Sequence, residues 1–390
     1  MNQIKLNAEE VKNLLRHIIS NNKKLQEEGK KPISVNLEGP AGIGKTSALL
    51  ELSAELDMEC IKLNLAEMEE VGELTGFPVK EYEVIKDNVS KWIPENMIPM
   101  YVKGGYKPTS SHRMNYAVPE WIAGKTKPGI LILDDFSRAN QMFMQAIMEI
   151  CDRQEYISWK LPAGWTVVLS SNPDDGNYNV TTLDIAQTTR FINLEMKFDM
   201  DVWARWAEKD ALDSRAINFM LMNPEVITER YNARSFVTFF NSISSIKNFE
   251  DNLDLLQMLG EGSIGAEAST LFTAFIHNKL DKIVRPKDLI LHDNETYIIG
   301  ELNSCVTVNG EYRADISSVL ATRVVNFCLS YAESNSISQA IINRLIRLTT
   351  DCDAFTDDLK YYIVKEILAG NKTKFSKIML DKKVMDMSLK

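Results

Sequence analysis

The segment Gly39-Pro40-Ala41-Gly42-Ile43-Gly44-Lys45-Thr46 constrains this chain more than any other, because it carries the spacing GxxxxGK followed by Ser or Thr at every fixed position. Its flanks matter as much as its letters. Ile33-Ser34-Val35-Asn36-Leu37 alternates apolar and polar residues as a strand does, and Ser47-Ala48-Leu49-Leu50-Glu51-Leu52 continues as a helix former. A strand, a glycine-rich loop and a helix in that order let the backbone from Gly39 to Ser47 curl until its N–H groups, which Pro40 alone lacks, face one anion at the positive end of the helix. Lys45 is then expected on the outer phosphates of a nucleoside triphosphate, and the Thr46 hydroxyl on magnesium. The competing explanation, a chance glycine-rich turn, does not account for both flanks.

A second element agrees with the first. Gly129-Ile130-Leu131-Ile132-Leu133 is an unbroken aliphatic run ending in Asp134-Asp135, the pattern of a central parallel strand covered on both faces. Ligands of such sheets gather beyond the carboxyl ends of the strands, which predicts Asp134 beside the phosphate loop, in a magnesium shell. Asp135 can orient or deprotonate an attacking water. A buried strand that merely ends in an acidic turn is the plainer alternative.

The 390 residues are 45% apolar and 25% charged, enough for two or three packed units. No apolar run approaches the ~20 residues that cross a bilayer, and MNQIKLNAEEVKNLLRHIIS reads as an amphipathic helix with carboxylates, not a signal peptide. A soluble, cytoplasmic chain with no membrane contact is expected. Cys60, Cys151, Cys305, Cys328 and Cys352 are scattered without a CxxC pair, which argues for reduced thiols over zinc or disulfides. A net charge of −10 disfavours a nucleic-acid partner unless positive charge is locally concentrated.

With these residues in place the sequence resembles the AAA+ ATPases, and among them the MoxR-like and dynein-related branch. The resemblance rests on GPAGIGKT at 39–46, GELTGFPV at 72–79, LILDDFSRAN at 131–140, VVLSSNPDDGNY at 167–178, TTRF at 188–191, NARSFVTFF at 232–240 and LGEGSIGAEASTLFTAFIHN at 259–278. It implies an α/β P-loop NTPase core with a parallel sheet flanked by helices, followed by an α-helical lid and a helical C-terminal extension. On this chain that becomes an N-terminal helix at 1–30, a core at 31–198, a lid at 199–280 and an extension at 281–390.

The resemblance also implies roles. Asn172, ending the strand that starts at Thr166, is implied as the first sensor, whose amide holds water or reads the γ phosphate. Arg190, opening the strand Phe191-Ile192-Asn193-Leu194, matches an arginine finger that neutralises charge on a neighbouring subunit's transferred phosphoryl. Arg234 matches the second sensor of the lid. Asn64 occupies a strand end where relatives restrain the catalytic carboxylate, although an Asn there is also a common turn residue. Arg138 resembles the Arg of the acidic-strand motif, with a surface ion pair as the equal alternative. ATP and Mg2+ are the implied cofactors. A homo-oligomeric, hexameric ring and a client protein, in this branch often one with a von Willebrand factor A domain, are the implied partners. A nucleic-acid motor, a GTP-using restriction-type motor and a slowly hydrolysing switch remain open alternatives.

Two departures stand out. The family's usual Glu after the metal-binding Asp is here Asp135, one methylene shorter. The interval from Lys45 to Asp134 is long, with the excess at 81–125, rich in Tyr and Trp. That insert either reaches a partner or packs its aromatics on its own core, the second being preferred. Glu155 to Trp165 reads as a hairpin ahead of the sensor strand. Beyond 281, Ala321–Tyr331 and Ile337–Leu348 read as amphipathic helices.

Overall fold

The computed structural model describes residues 5–388 except 175, 177, 179, 182, 278–283, 309 and 310. The chain divides into two compact units, Met1–Lys197 and Phe198–Lys390. Asp175 and Asn177 of the sensor-strand motif, and Asn278 at the end of the lid motif, lie outside the described residues.

The first unit runs β1 (Lys5–Leu6), α1 (Ala8–Glu27), β2 (Ser34–Glu38), α2 (Lys45–Glu55), β3 (Glu59–Asn64), α3 (Val71–Thr75), β4 (Pro78–Lys86), β5 (Val89–Pro94), α4 (Ile98–Lys103), β6 (Lys107–Tyr116), β7 (Gly129–Asp134), α5 (Gln141–Arg153), β8 (Glu155–Tyr156), β9 (Trp159–Lys160), β10 (Thr166–Ser171), α6 (Ile185–Thr188) and β11 (Phe191–Met196). Six strands pair in the order β1-β11-β2-β10-β7-β3, parallel throughout. The expected parallel α/β core is therefore present.

Side-chain alternation explains why both faces of this sheet are dry. On β7, Ile130 and Ile132 join Val35, Leu37 and Val168 against Val11 and Leu15 of α1 and Leu49 and Leu52 of α2. Leu131 and Leu133 point the other way and join Val167 and Leu169 against Phe143, Met144 and Ile147 of α5. Each of these four β7 side chains is fully buried, worth about 1.5–3 kcal/mol apiece in area removed from water. A single charge in this run would sit in one apolar layer or the other.

The N-terminus corrects one expectation, since Lys5–Leu6 is an edge strand and the helix starts only at Ala8. The reason is a capping box. Asn7 accepts from the Glu10 amide at 3.0 Å and the Glu10 carboxylate accepts from the Asn7 amide at 2.8 Å. With the helix stopped there, Leu6 is free to accept from the Lys197 amide beyond β11.

The insert is a separate antiparallel sheet in the order β5-β4-β6. Val84 and Ile93 are its buried centre. Tyr101 and Tyr106 meet edge-on at 5.1 Å, with the Lys91 ammonium over both rings. Tyr116 and Trp121 behave differently, packing edge-on against Tyr156 and Trp159 of the β8–β9 hairpin. The aromatics thus divide between the insert's own small core and the separate β8–β9 hairpin.

The second unit contains α7 (Met200–Lys209), α8 (Ser214–Met222), α9 (Ala233–Ile243), α10 (Leu253–His277), α11 (Pro286–Leu291), α12 (Glu295–Val306), a small hairpin of β12 (Thr307–Val308) and β13 (Glu311–Tyr312), α13 (Ala314–Ser334), α14 (Gln339–Thr350), α15 (Asp357–Phe375) and α16 (Lys382–Ser388). Phenylalanines 219, 236, 239, 240, 272 and 275 fill one core. Leu320, Val324, Leu345 and Ile363 belong to another. Arg323 on α13 is fully buried and donates to Glu208, Asn218 and Ser214 of α7 and α8. A charge so enclosed persists only because each donor group is answered. Among the described residues, no helix is long and apolar enough to cross a membrane.

Candidate active site

The phosphate loop begins where β2 ends, between the carboxyl ends of β10 and β11, with β7 next beyond β10. Its glycines are needed for two different reasons. A Cβ on Gly39 would lie 2.6 Å from the Met196 carbonyl oxygen, so there is no room for one. Gly44 has open space around it but φ +98, a left-handed backbone that side chains disfavour. That Gly44 is the N-cap of α2, and no side chain caps the helix. The first turn of this 11-residue helix thus has no capping side chain, and its positive end favours an anion.

Lys45 is only 8% exposed. Its ammonium donates to the carbonyls of Gly39 at 2.6 Å and Pro40 at 3.0 Å, and to Asn172 Oδ1 at 3.2 Å. Asn172 is itself buried at the end of β10, its amide N–H on Ser137 Oγ at 3.2 Å. Its Nδ2 reaches toward Asp135 Oδ1 at 3.5 Å, so one amide side chain bridges the lysine and the second acid. The loop is tied on its outer side as well, the Ala41 amide donating to the Tyr178 hydroxyl at 3.1 Å.

Thr46 Oγ1 lies 3.3 and 3.2 Å from the two oxygens of Asp134. The Lys62 ammonium, from the neighbouring strand β3, stands 3.0 Å from Asp134 Oδ2. Burial alone would push the Asp134 carboxyl up, but Lys62 and the Ser170 and Thr46 hydroxyls outweigh it and hold the group below its ordinary value. Asp135 follows in a left-handed backbone, φ 51 and ψ 33, which Asp tolerates better than most residues. The twist is set by Phe136, fully buried directly after it, and by the Arg138 amide closing a tight turn onto Asp135 O.

These residues fit a magnesium nucleotide. A hydroxyl and a carboxylate side by side are the hard oxygen donors that magnesium takes, and the start of α2, without a side-chain cap, favours an anion beside them. Lys45, Thr46, Asp134, Asp135 and Asn172 come together in one crevice. Arg190 does not join them. It precedes β11, whose first residue Phe191 pairs with Ser34 at the start of β2, so it lies about 16 Å of strand from the loop. It is exposed, with Nη1 on Ala186 O at 3.3 Å, and lines a polar cleft of about 430 Å³ with Gln145, Glu149 and Arg153. Arg234 belongs to the second unit, its amide on the Asn232 side chain that caps α9. Asn64 pairs in register with Asp134, yet its side chain accepts the Ala66 amide at 3.3 Å and serves the turn. Arg138 is exposed, and no carboxylate among the described residues pairs with it.

Lys62, Ser170 and Tyr178 were not anticipated as site residues. Lys62 and Asn64 share one face of β3, so the register Asn64 to Asp134 brings the lysine within reach. That pairing is a tertiary fact with no local sequence signal.

No family model and no curated protein matches the sequence. Solved structures do align with it. A lysine-to-arginine mutant of Thermotoga maritima RuvB superposes with TM-score 0.35 and 13% identity over 79% of this chain and 86% of that one. A proline-to-glycine mutant of the same protein gives 0.30 and 12% over 88% and 85%. The Thermotoga maritima RuvB Holliday junction branch migration motor gives 0.31 and 12% over 78% and 86%. Superpositions this loose decide neither family nor activity, and the fold class rests on the chain's own parallel sheet, its phosphate loop and the helices that flank them.

Proposed function

We propose that this chain is a magnesium-dependent ATPase of the AAA+ type that works as a homo-oligomeric, hexameric ring on a partner protein. The observation that carries the reading is the convergence of Lys45, Thr46, Asp134, Asp135 and Asn172 at the carboxyl ends of β2, β7 and β10. Lys45 exchanges its two loop carbonyls for phosphate oxygens, and the α2 amides orient the chain of phosphates. Magnesium, held by Thr46 and Asp134, supplies charge neutralisation on the phosphates. Asp135 orients or deprotonates the attacking water, with Asn172 fixing its position. Arg190, remote from its own crevice, serves the adjacent subunit's.

A net charge of −10 favours a protein client over a polyanion, and the MoxR-like resemblance suggests a client with a von Willebrand factor A domain. A nucleic-acid motor is the second reading, favoured by one observation: Lys80, Lys86 and Lys91 of the insert lie against the rings of Tyr82, Tyr101 and Tyr106. Binding to single or double strands that weakens steeply with salt would select it.

The test is calorimetric titration of the purified protein with ATP and GTP in magnesium, alongside phosphate release. ATP is expected to bind and turn over, and Lys45→Ala is expected to lose binding while keeping its helical circular dichroism. Absence of heat with either nucleotide would sink the proposal.

A further inference from the structure

Asp134 already holds a cation of this chain's own. Lys45 is directed elsewhere, onto Gly39, Pro40 and Asn172, so the positive charge beside Asp134 comes from Lys62, 3.0 Å from Oδ2. Thr46 Oγ1 meets the same oxygen at 3.2 Å. The carboxylate that would hold a divalent ion is therefore already paired with an ammonium, on the same oxygen that the Thr46 hydroxyl meets. The partners differ in access, the Asp134 side chain being 15% exposed and that of Lys62 44%. The carboxylate is fixed at the end of a buried strand, whereas the lysine reaches in from solvent on a four-carbon stem. Such a stem swings away without disturbing the sheet.

We propose that Lys62 is a built-in counter-ion that competes with the divalent cation for Asp134, so that this lysine sets the metal concentration at which the site loads. The idea rests on the nucleotide-site reading above. An ammonium and a divalent ion on one carboxylate oxygen repel each other, and metal binding therefore requires Lys62 to leave. Removing its charge makes the site more negative and strengthens metal binding. For a lysine this exposed the gain is set by a high effective dielectric, which corresponds to about three- to tenfold in affinity, diminishing with salt. Lys62 is a positioning residue in this scheme. It acts through Asp134, whose carboxylate it holds until the metal displaces it.

The experiment titrates Mn2+, as a paramagnetic stand-in for Mg2+, into full-length protein without nucleotide and again with ADP, reading free Mn2+ by electron paramagnetic resonance. Lys62→Met is expected to lower the half-saturating Mn2+ about three- to tenfold without nucleotide, with Lys62→Arg near the native value, and the gap should narrow at high salt. Equal or weaker Mn2+ binding in Lys62→Met overturns the competition. So does unchanged binding in Asp134→Asn, which would put the ion elsewhere. If ADP fails to tighten Mn2+ on the native chain, the nucleotide reading falls, and the nucleotide-free comparison still decides the role of Lys62. Thermal melts of the variants check that each is folded.

Discussion

In the proposed mechanism Asp135 is the residue on which turnover depends most sensitively. Its left-handed backbone and its 3.5 Å approach to Asn172 Nδ2 define where a short carboxylate ends. Glu would extend that reach by about one bond, and a misplacement near 1 Å is worth up to ~10² in rate when geometry dominates. We expect Asp135→Glu to raise kcat about tenfold with little change in KM, the signature of an interaction made in the transition state alone. Steady-state phosphate release checks this, and a slower Glu variant would mean that the crevice is built around the shorter acid. The same neighbourhood marks how far sequence reasoning reaches. Lys45 and Thr46 were legible from the GxxxxGKT spacing, and Asp134 and Asn172 because one ends and the other directly follows a hydrophobic strand. Lys62 and Ser170 act on Asp134 through strand pairing, which a linear pattern does not contain.

Among the elements, β7 was readable because both of its faces are buried, so every residue from Ile130 to Leu133 is aliphatic. The insert sheet was harder, since Glu81, Glu83, Lys86 and Lys91 leave its alternation mostly polar. One signal was present. Asp87 and Asn88 both have positive φ, 51 and 63, as a two-residue hairpin turn requires, and Asp and Asn tolerate that backbone. The phosphate loop makes the sharper element-level prediction. A methyl on Gly39 would meet the Met196 carbonyl oxygen at 2.6 Å, and that oxygen is backbone at the end of a core strand and cannot turn aside. Gly39→Ala should cost about 1–3 kcal/mol in overpacking and lower the melting temperature by several degrees, and nucleotide affinity should fall with it. A variant that melts and binds as the native chain does would show that the loop moves freely against β11.

For the whole molecule, the separation of Arg190 from its own crevice has a consequence that mixing can read. Phe191 pairs with Ser34 while Glu195 pairs with Glu38, so Arg190 and the phosphate loop lie at opposite ends of adjacent parallel strands. A guanidinium cannot span that length, so in the proposed ring the recipient of its charge is a second copy. Lys45→Ala and Arg190→Ala should each be inactive alone, the first for want of a nucleotide and the second for want of a finger. Mixed in equal amounts, they place intact Arg190 from Lys45→Ala subunits beside intact loops of Arg190→Ala subunits. Random closed rings would then recover about a quarter of native activity, because each working site needs one good loop and one good neighbour. Phosphate release after co-incubation measures it. No recovery from the mixture, or full activity from Arg190→Ala by itself, would show that each chain completes its own site and that the ring is unnecessary for hydrolysis.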